Sequence, residues 1–444
     1  MKIAYKVQRK ESCEELKIFL QTGVRIPGSE LMRDEVTFRM PLGWKVENLH
    51  PDLFALSVIV IAYRYIQDEL VLPFGVSPEF AEVCLELTNI RLSPIDKNVA
   101  PRVPQAHYRP GLAFSAGVDS TACISLMPKS TALVFLHRIK PEDEERNSIY
   151  RSDFAVHACE KLQQSGHSVF SVDTDMEWIR NPVGFVVDWS NGVPAILLAD
   201  YLELDSLAWG MVAESAYRIG HEYFQFYQKR GLHKRWGPMF ETAGIPFYFP
   251  VAGVSEVGTS IIVDQSSYRN IARSCIRGSL AVSCGWCMKC FRKGLLDSAV
   301  ANKEISNEGL TRLFWIPEAQ KHLAKMPIKH ENIIAFIAAS YKGDHKGMQV
   351  LSERVRARHL SVDWMRKWYP KSLDLVPEKY RQYTKQSLLG FLQEMSVDDI
   401  EAVEKWDMRA YLESSDAKVA QKALEDYFTE INVNRPKKRP EPFR

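Results

Sequence analysis

The 444-residue chain carries almost no net charge: 57 Lys and Arg stand against 55 Asp and Glu, a balance of +2. A protein that wraps nucleic acid or lies on an anionic membrane would therefore need a local basic patch, because its bulk composition supplies none. No segment is fit to cross a bilayer. The most apolar stretch, Leu53 to Tyr63, is interrupted by Ser57 and closed by Arg64, well short of the ~20 residues a spanning helix needs. Met1-Lys2-Ile3 leads into Lys6, Arg9, Lys10 and Glu11 without an apolar core, so no secretory signal is read there and the expected location is the cytoplasm. Eight cysteines in the whole chain are too few for a disulfide framework. Internal repeats are absent, and so is the Gly-x4-Gly-Lys-Ser/Thr pattern, which argues against a Walker-type kinase or GTPase.

What is present is an ordinary globular balance, 46% apolar and 25% charged, in a chain long enough for two or three domains at ~100 to 200 residues each. Residues 1 to 108 read as an N-terminal α+β domain: Val36 to Met40 alternates like a strand, while Asp52 to Ile66 and Glu79 to Leu87 read as helices. Pro94, Pro101, Pro104 and Pro110 then punctuate a stretch of low periodicity, which puts a boundary near Tyr108. From 109 to 303 short apolar strands alternate with helices. Strands are expected at Gly111 to Phe114, Ala132 to Leu136, Ser168 to Val172 and Leu207 to Met211, and helices at Asp119 to Met127, Ile149 to Gln164 and Gly192 to Leu204. That alternation indicates an α/β domain with a mainly parallel sheet. Residues 304 to 434 read as a helical C-terminal region, with a capping-box spacing at Ser396 and Asp399 and helical periodicity from Tyr380 to Met395. Residues 435 to 444, with three prolines and five basic residues, read as a solvated tail.

Two local patterns carry chemistry. Ala113-Phe114-Ser115-Ala116-Gly117-Val118-Asp119-Ser120-Thr121 is a strand end, a turn of small residues and a helix start. The first turn of a helix presents unsatisfied N–H groups and partial positive charge, and small side chains let a phosphate reach them. Ser115, Ser120 and Thr121 add hydroxyls, and Asp119 suits a Mg²⁺ bridge or a first-turn position. The plainer alternative is a serine-capped strand-to-helix turn. The second pattern is Cys275-x8-Cys284-x2-Cys287-x2-Cys290, four thiols at a spacing that closes a tetrahedral Zn²⁺ site with no open position, hence a structural one. An iron–sulfur cluster and metal-free redox cysteines are the alternatives. Arg273, Arg277, Lys289, Arg292 and Lys293 nearby favour thiolates.

Ser115-Ala116-Gly117-Val118-Asp119-Ser120 resembles the Ser-Gly-Gly-x-Asp-Ser loop of the PP-loop ATP pyrophosphatases, with Ala116 where glycine is usual. The resemblance implies a doubly wound, mainly parallel sheet of the adenine nucleotide α-hydrolase-like kind. It also implies cleavage of ATP to AMP and pyrophosphate, and a nucleotide held by Ser115, Ala116, Gly117, Val118, Asp119, Ser120 and Thr121. The cysteine segment is similar to that of 7-cyano-7-deazaguanine synthases and of UDP-N-acetylmuramoyl-L-alanyl-L-glutamate epimerases. Gly210-Met211-Val212-Ala213-Glu214-Ser215 resembles a segment following a strand in both, and Asn191-Gly192-Val193-Pro194 a helix start of the epimerases. The roughly 110 residues before the loop match the epimerase layout better. The resemblance spans about 110 to 300.

The expected function is ATP-dependent adenylation of a carboxylate on a small molecule or peptide, most like the muramoyl-dipeptide glutamate epimerase. Synthase-like amidation or nitrile formation on a deazapurine carboxylate is the second reading, and a tRNA-modifying PP-loop enzyme the third, against which the near-neutral charge argues. A nucleotide-binding module without turnover is the non-enzymatic alternative. The expected catalytic residues are Ser115, Asp119, Ser120, Glu214 and His221, with Asp173 beside the nucleotide, Cys275, Cys284, Cys287 and Cys290 on the metal, and ATP, Mg²⁺ and Zn²⁺ as cofactors. Glu222, Glu256, Asp175, Arg218 and Arg292 are weaker candidates, each with an ordinary structural alternative, and Tyr223, Phe224, Phe226 and Tyr227 read better as core than as a base-stacking platform. No membrane partner is expected; a homodimer is compatible with the sequence, which does not fix the oligomeric state.

Overall fold

The computed structural model describes residues 1–22 and 30–436. The expected basic tail therefore lies, from residue 437 onward, outside the described residues. The chain divides into two compact units that interleave along the sequence. One comprises Met1–Ser115, Met127–Trp209 and Gln228–Phe249; the other comprises Ala116–Leu126, Gly210–Tyr227 and Pro250–Arg444.

The first unit is built on a ten-stranded sheet. Its strands are β1 (Lys2–Arg9), β2 (Glu14–Gln21), β3 (Glu35–Met40), β4 (Glu69–Val76), β5 (Arg91–Ile95), β6 (Arg109–Phe114), β7 (Ala132–Arg138), β8 (Ser168–Thr174), β9 (Leu204–Ala208) and β10 (Phe247–Tyr248). Their spatial order is β10-β9-β6-β7-β8-β3-β2-β1-β4-β5. From β10 to β8 every neighbouring pair is parallel, β8 through β3 and β2 to β1 is antiparallel, and β1-β4-β5 is parallel again. The sheet is thus mixed and mostly parallel, an α/β architecture, and the strands of the N-terminal hundred residues belong to it.

Sequence pattern explains the two kinds of strand. In β2, Leu16, Ile18 and Leu20 alternate with partly exposed residues, as expected of a strand with one covered face. In β7, Ala132 to Leu136 are all buried, the continuous apolar run of a strand covered on both faces. The apolar stretch noted above forms the helix Pro51–Ala62, whose residues from Asp52 to Ala62 are all buried. It stops short of the expected Ile66, because Tyr63–Tyr65 tightens into a 3₁₀ turn. Asp52 accepts from the Ser77 backbone and hydroxyl at 2.9 and 2.6 Å, which pins it to the capped start of the helix Pro78–Thr88.

Two expected elements differ. The helix expected from Gly192 to Leu204 is only Val193–Leu197, and the following strand begins at Leu204 rather than Leu207. Glu203, at φ 55°, turns the chain into β9 three residues early. The helix expected from Ile149 starts instead at Asp153, leaving Ile149 exposed.

The second unit is mainly helical. It contains the helices Val118–Leu126, Glu256–Gln265, Met288–Val300, Glu331–Ser340, Lys346–Arg354, Glu378–Phe391 and Ser415–Asn432, among others, and the capping box at Ser396 and Asp399 is formed. One pair of two-residue strands, Lys367–Trp368 and Gln393–Glu394, interrupts the otherwise helical C-terminal region. Inside it Arg354 and Glu331 form a fully buried ion pair at 3.0 Å, with Gln421 and the Lys325 carbonyl completing the arginine's partners. No described helix is long and apolar enough to cross a membrane.

Candidate functional site

Among the five parallel strands β6 to β10, the order across the sheet, numbered by appearance in the chain, is 3-2-1-4-5, so the order reverses between β6 and β9. In open sheets of this kind ligands bind beyond the carboxyl ends of the strands where the order reverses. The two chain segments leaving those ends are Ser115 onward and Trp209-Gly210 onward, the sequence motifs singled out above.

Ala116 takes φ 56°, the left-handed conformation that glycine adopts freely and alanine only at a cost of about 1 to 2 kcal/mol. Its carbonyl accepts from the Arg273 N–H at 2.8 Å. The helix Val118–Leu126 follows; Thr121 N donates to Gly117 O at 2.9 Å and Ser120 Oγ to the same carbonyl at 3.2 Å. Ser115 is exposed, Asp119 half-buried, Ser120 and Thr121 buried. Gly210 lies against this turn so closely that a Cβ there would sit 2.6 Å from Ser120 N and 2.7 Å from the Asp119 carbonyl carbon. Only glycine fits.

Asp119 accepts from Thr259 Oγ1 at 2.7 Å. Thr259 lies on the helix Glu256–Gln265, capped by Ser255, whose Oγ accepts from Val257 N and Gly258 N. At the first position of that helix stands Glu256. Its N–H donates to Glu214 Oε2 at 3.2 Å, and Asn332 Nδ2 donates to Glu214 Oε1 at 2.7 Å. Glu214 is 0% exposed and Glu256 2%. Burial, reinforced by the charge of Glu256, pushes the Glu214 carboxyl up to about 8, the amide of Asn332 only partly opposing it. Burial would raise Glu256 too. Arg292 at 3.0 Å, Lys293 at 3.4 Å and His330 at 2.8 Å override it and hold that carboxyl well below the usual range. Two adjacent buried carboxyls are thereby driven to opposite protonation states, the arrangement that separates acid from base roles in enzyme sites.

The other expected residues are placed as follows. His221 is half-buried, its ring 5.4 Å from that of His330, edge to face, and its carbonyl accepts from Trp406 Nε1. Asp173 belongs to the sheet unit, where His137 at 2.8 Å and Arg39 at 3.2 Å hold its carboxyl below the ordinary range. Asp175, in the same unit, accepts from Thr37 N at 2.7 Å. In the aromatic run Phe224 stacks on Tyr217 and meets Phe226 edge to face.

Sequence reasoning missed Thr259, His330 and Asn332. The last two lie in the region read simply as helical, 74 and 118 residues from the carboxylates they meet, and no local pattern marks them.

The four cysteines converge as the spacing predicts. Their Sγ atoms all lie within 4.8 Å of one another, with Cys287 to Cys290 at 3.5 Å and Cys284 to Cys290 at 3.7 Å. A tetrahedral site with Zn–S bonds of about 2.3 Å has edges of about 3.8 Å, whereas a disulfide requires about 2.05 Å. The Cys284 and Trp286 N–H groups point at the sulfurs of Cys275 and Cys284. This cluster could hold a metal such as zinc.

Residues 235–407 match the model of a family described as a family of unknown function, DUF6395. The match covers less than half of the chain and takes in Glu256, the cysteine cluster, His330 and Asn332, but neither the turn at residues 115–121 nor Glu214. No curated protein and no solved structure matches the chain.

Proposed function

We propose that the chain is an ATP-dependent adenylating enzyme with a doubly wound fold of the PP-loop kind, which activates a carboxylate on a small molecule or peptide. The observation that carries this reading is the left-handed turn at Ala116 between β6 and the helix Val118–Leu126, next to the reversal of strand order. A turn strained in this way is kept where its backbone groups are needed. It is followed by a helix N-terminus, and the closely fitted Gly210 keeps side-chain bulk away from it.

In the proposed reaction an acceptor carboxylate oxygen attacks the α-phosphorus of ATP. The new P–O bond forms as the bond to the β-phosphate bridging oxygen breaks, and pyrophosphate leaves with that electron pair, giving an acyl adenylate. The loop's N–H groups and hydroxyls meet the charge that develops on the phosphates. Asp119 fits a Mg²⁺ partner: its carboxylate accepts a hydroxyl from Thr259 and, among the described residues, forms no ion pair. When bound, Mg²⁺ neutralises phosphate charge. Glu214, buried and protonated at neutral pH, is a proton reservoir whose state depends on Glu256. A cysteine-held zinc has no open position in this reading and acts structurally.

Among acceptors we favour the epimerase-like case, supported by the resemblance of Asn191-Gly192-Val193-Pro194 to a helix start of those enzymes. Incubation with ATP, Mg²⁺ and a panel of acids, including the muramoyl dipeptide and 7-carboxy-7-deazaguanine with and without ammonium, tests it through AMP release, product mass and chirality. Inverted chirality at constant mass selects epimerisation, and gain of nitrogen selects amidation. Absence of AMP with every acid, or AMP formation untouched by Ser115→Ala and Asp119→Ala, refutes the adenylating reading.

A further inference from the structure

The cysteine loop does more than close on itself: it walls a cavity of 420 Å³, within the range of about 300 to 1,000 Å³ that small-molecule sites occupy. Val118, the first residue of the phosphate-loop helix, lines it, so the cavity opens directly beside the turn that carries the proposed nucleotide site. Arg273, whose N–H holds the Ala116 carbonyl, lines it as well.

The cavity has two kinds of lining residue. Arg273, Lys289 and Lys293 line it with one carboxylate, Asp297, and so do the apolar side chains of Ile305 and Leu313. Lys293 is committed to Glu256 and Ser260. Lys289, between Cys287 and Cys290 in sequence, is different. It is exposed, and among the described residues no side chain forms an ion pair with it. A cation left without a partner in a concave, partly apolar space is matched by an anion that brings apolar surface with it. A bare polyphosphate fits worse, since it would leave Ile305 and Leu313 against its charge and would face Asp297.

We propose that this cavity is the acceptor subsite, that it takes a carboxylate carried on an apolar stem, and that Lys289 binds the carboxylate beside the phosphate loop. The inference rests on the adenylating reading above and adds the class and place of the acceptor. It also gives the metal loop a second task, because the loop that the cysteines fold presents the acid-binding lysine.

The probe is 2-naphthoate, with uncharged 2-naphthamide as its control and α,β-methylene-ATP as the nucleotide, titrated into the full-length, zinc-loaded protein. Lys289→Ala removes the cation, and Ile305→Trp fills the apolar end without touching charge or cysteines; zinc content is measured for both. The expected result is that 2-naphthoate outbinds 2-naphthamide and that each variant weakens it about tenfold or more, with zinc content and nucleotide affinity retained. Equal binding of acid and amide, or acid binding indifferent to both variants, overturns the assignment. So does displacement of 2-naphthoate by inorganic pyrophosphate together with loss of nucleotide in Lys289→Ala, which would make the cavity a phosphate site. Failure of the wild-type protein to bind the nucleotide at all would instead refute the adenylating reading, whatever the acid does.

Discussion

Glu214 Oε2 accepts a hydrogen bond from the backbone N–H of Glu256 at 3.2 Å, so the two buried carboxyls are tied through the first residue of one helix. The tie has an electrostatic consequence. Glu256 is surrounded by Arg292, Lys293 and His330 and stays ionised. Its charge, added to burial, keeps the neighbouring Glu214 protonated at neutral pH. Removing either cation, Arg292 or Lys293, therefore acts on Glu214 without touching it.

Stability should respond oppositely to the two carboxyls as pH changes. Glu214 titrates at about 8 when folded and near 4.5 when unfolded. Between those two values the folded chain binds one proton more than the unfolded chain, so stability falls as pH rises, by up to about 1.4 kcal/mol for each step of one in pH. Glu256 is held below its ordinary value of 4.5. Its contribution is present above that value and is lost as pH falls below it. Glu214→Gln, which mimics the protonated form, is expected to flatten the decline between about pH 5 and 8, whereas Glu256→Gln leaves Arg292 and Lys293 uncompensated and costs about 3 to 5 kcal/mol. Urea midpoints measured from pH 4 to 9 check both; a Glu214→Gln profile that overlays the wild type would show that Glu214 is ionised when folded.

The cysteine cluster makes its own prediction. Purified protein should contain one zinc per chain, and Cys284→Ser or Cys287→Ser should lower that content and the thermal midpoint together, while Cys13→Ser, which lies outside the cluster, changes neither. Elemental analysis and calorimetry on the same samples decide it. An unchanged midpoint after complete chelation would rule out a structural metal.

Much of the local architecture was legible, for physical reasons that can be named. The continuous apolar run of β7 marked a strand buried on both faces, and the two Cys-x2-Cys steps marked a loop able to gather four sulfurs. Ser396 and Asp399 announced a helix start because capping is a local hydrogen-bond requirement. What could not be read depended on tertiary choices. Nothing near Glu203 signals a left-handed residue, so the helix after Asn191 was drawn too long. Glu256 looked like any first-turn carboxylate, because its meaning comes from His330, which is distant in sequence. The interleaved units arise because the chain leaves the first unit after both β6 and β9, a topology that periodicity does not encode.

The turn at Ala116 is predicted to be strained in one direction only. Ala116→Gly relieves the cost of φ 56° and should leave the protein as stable or up to about 1 kcal/mol more stable. Gly210→Ala does the reverse, because the new methyl meets backbone atoms of Asp119 and Ser120 that cannot rotate away; a loss of about 1 to 3 kcal/mol is expected. Denaturation midpoints test both. A destabilised Ala116→Gly would mean that the methyl packs favourably enough to outweigh the backbone strain.

The last prediction concerns the Thr259 hydroxyl that joins the helix Glu256–Gln265 to the turn. Thr259 is fully buried and donates to Asp119 Oδ1 at 2.7 Å, with the Glu256 carbonyl 3.2 Å from the same hydroxyl. Thr259→Val keeps the shape and removes the donor, leaving a half-buried carboxylate without its partner at a cost of about 1.5 to 3 kcal/mol. Thr259→Ser keeps the donor and loses a methyl, so its loss should be smaller. If Asp119 must be held by this bond to meet a cation beside the phosphates, the valine variant will also bind ATP with Mg²⁺ more weakly than the serine variant does. Titration of both with ATP in the presence and absence of Mg²⁺ isolates the effect. A weakening seen equally without the cation would assign Thr259 to shaping the turn, and a weakening confined to the Mg²⁺ titration would assign it to orienting the carboxylate.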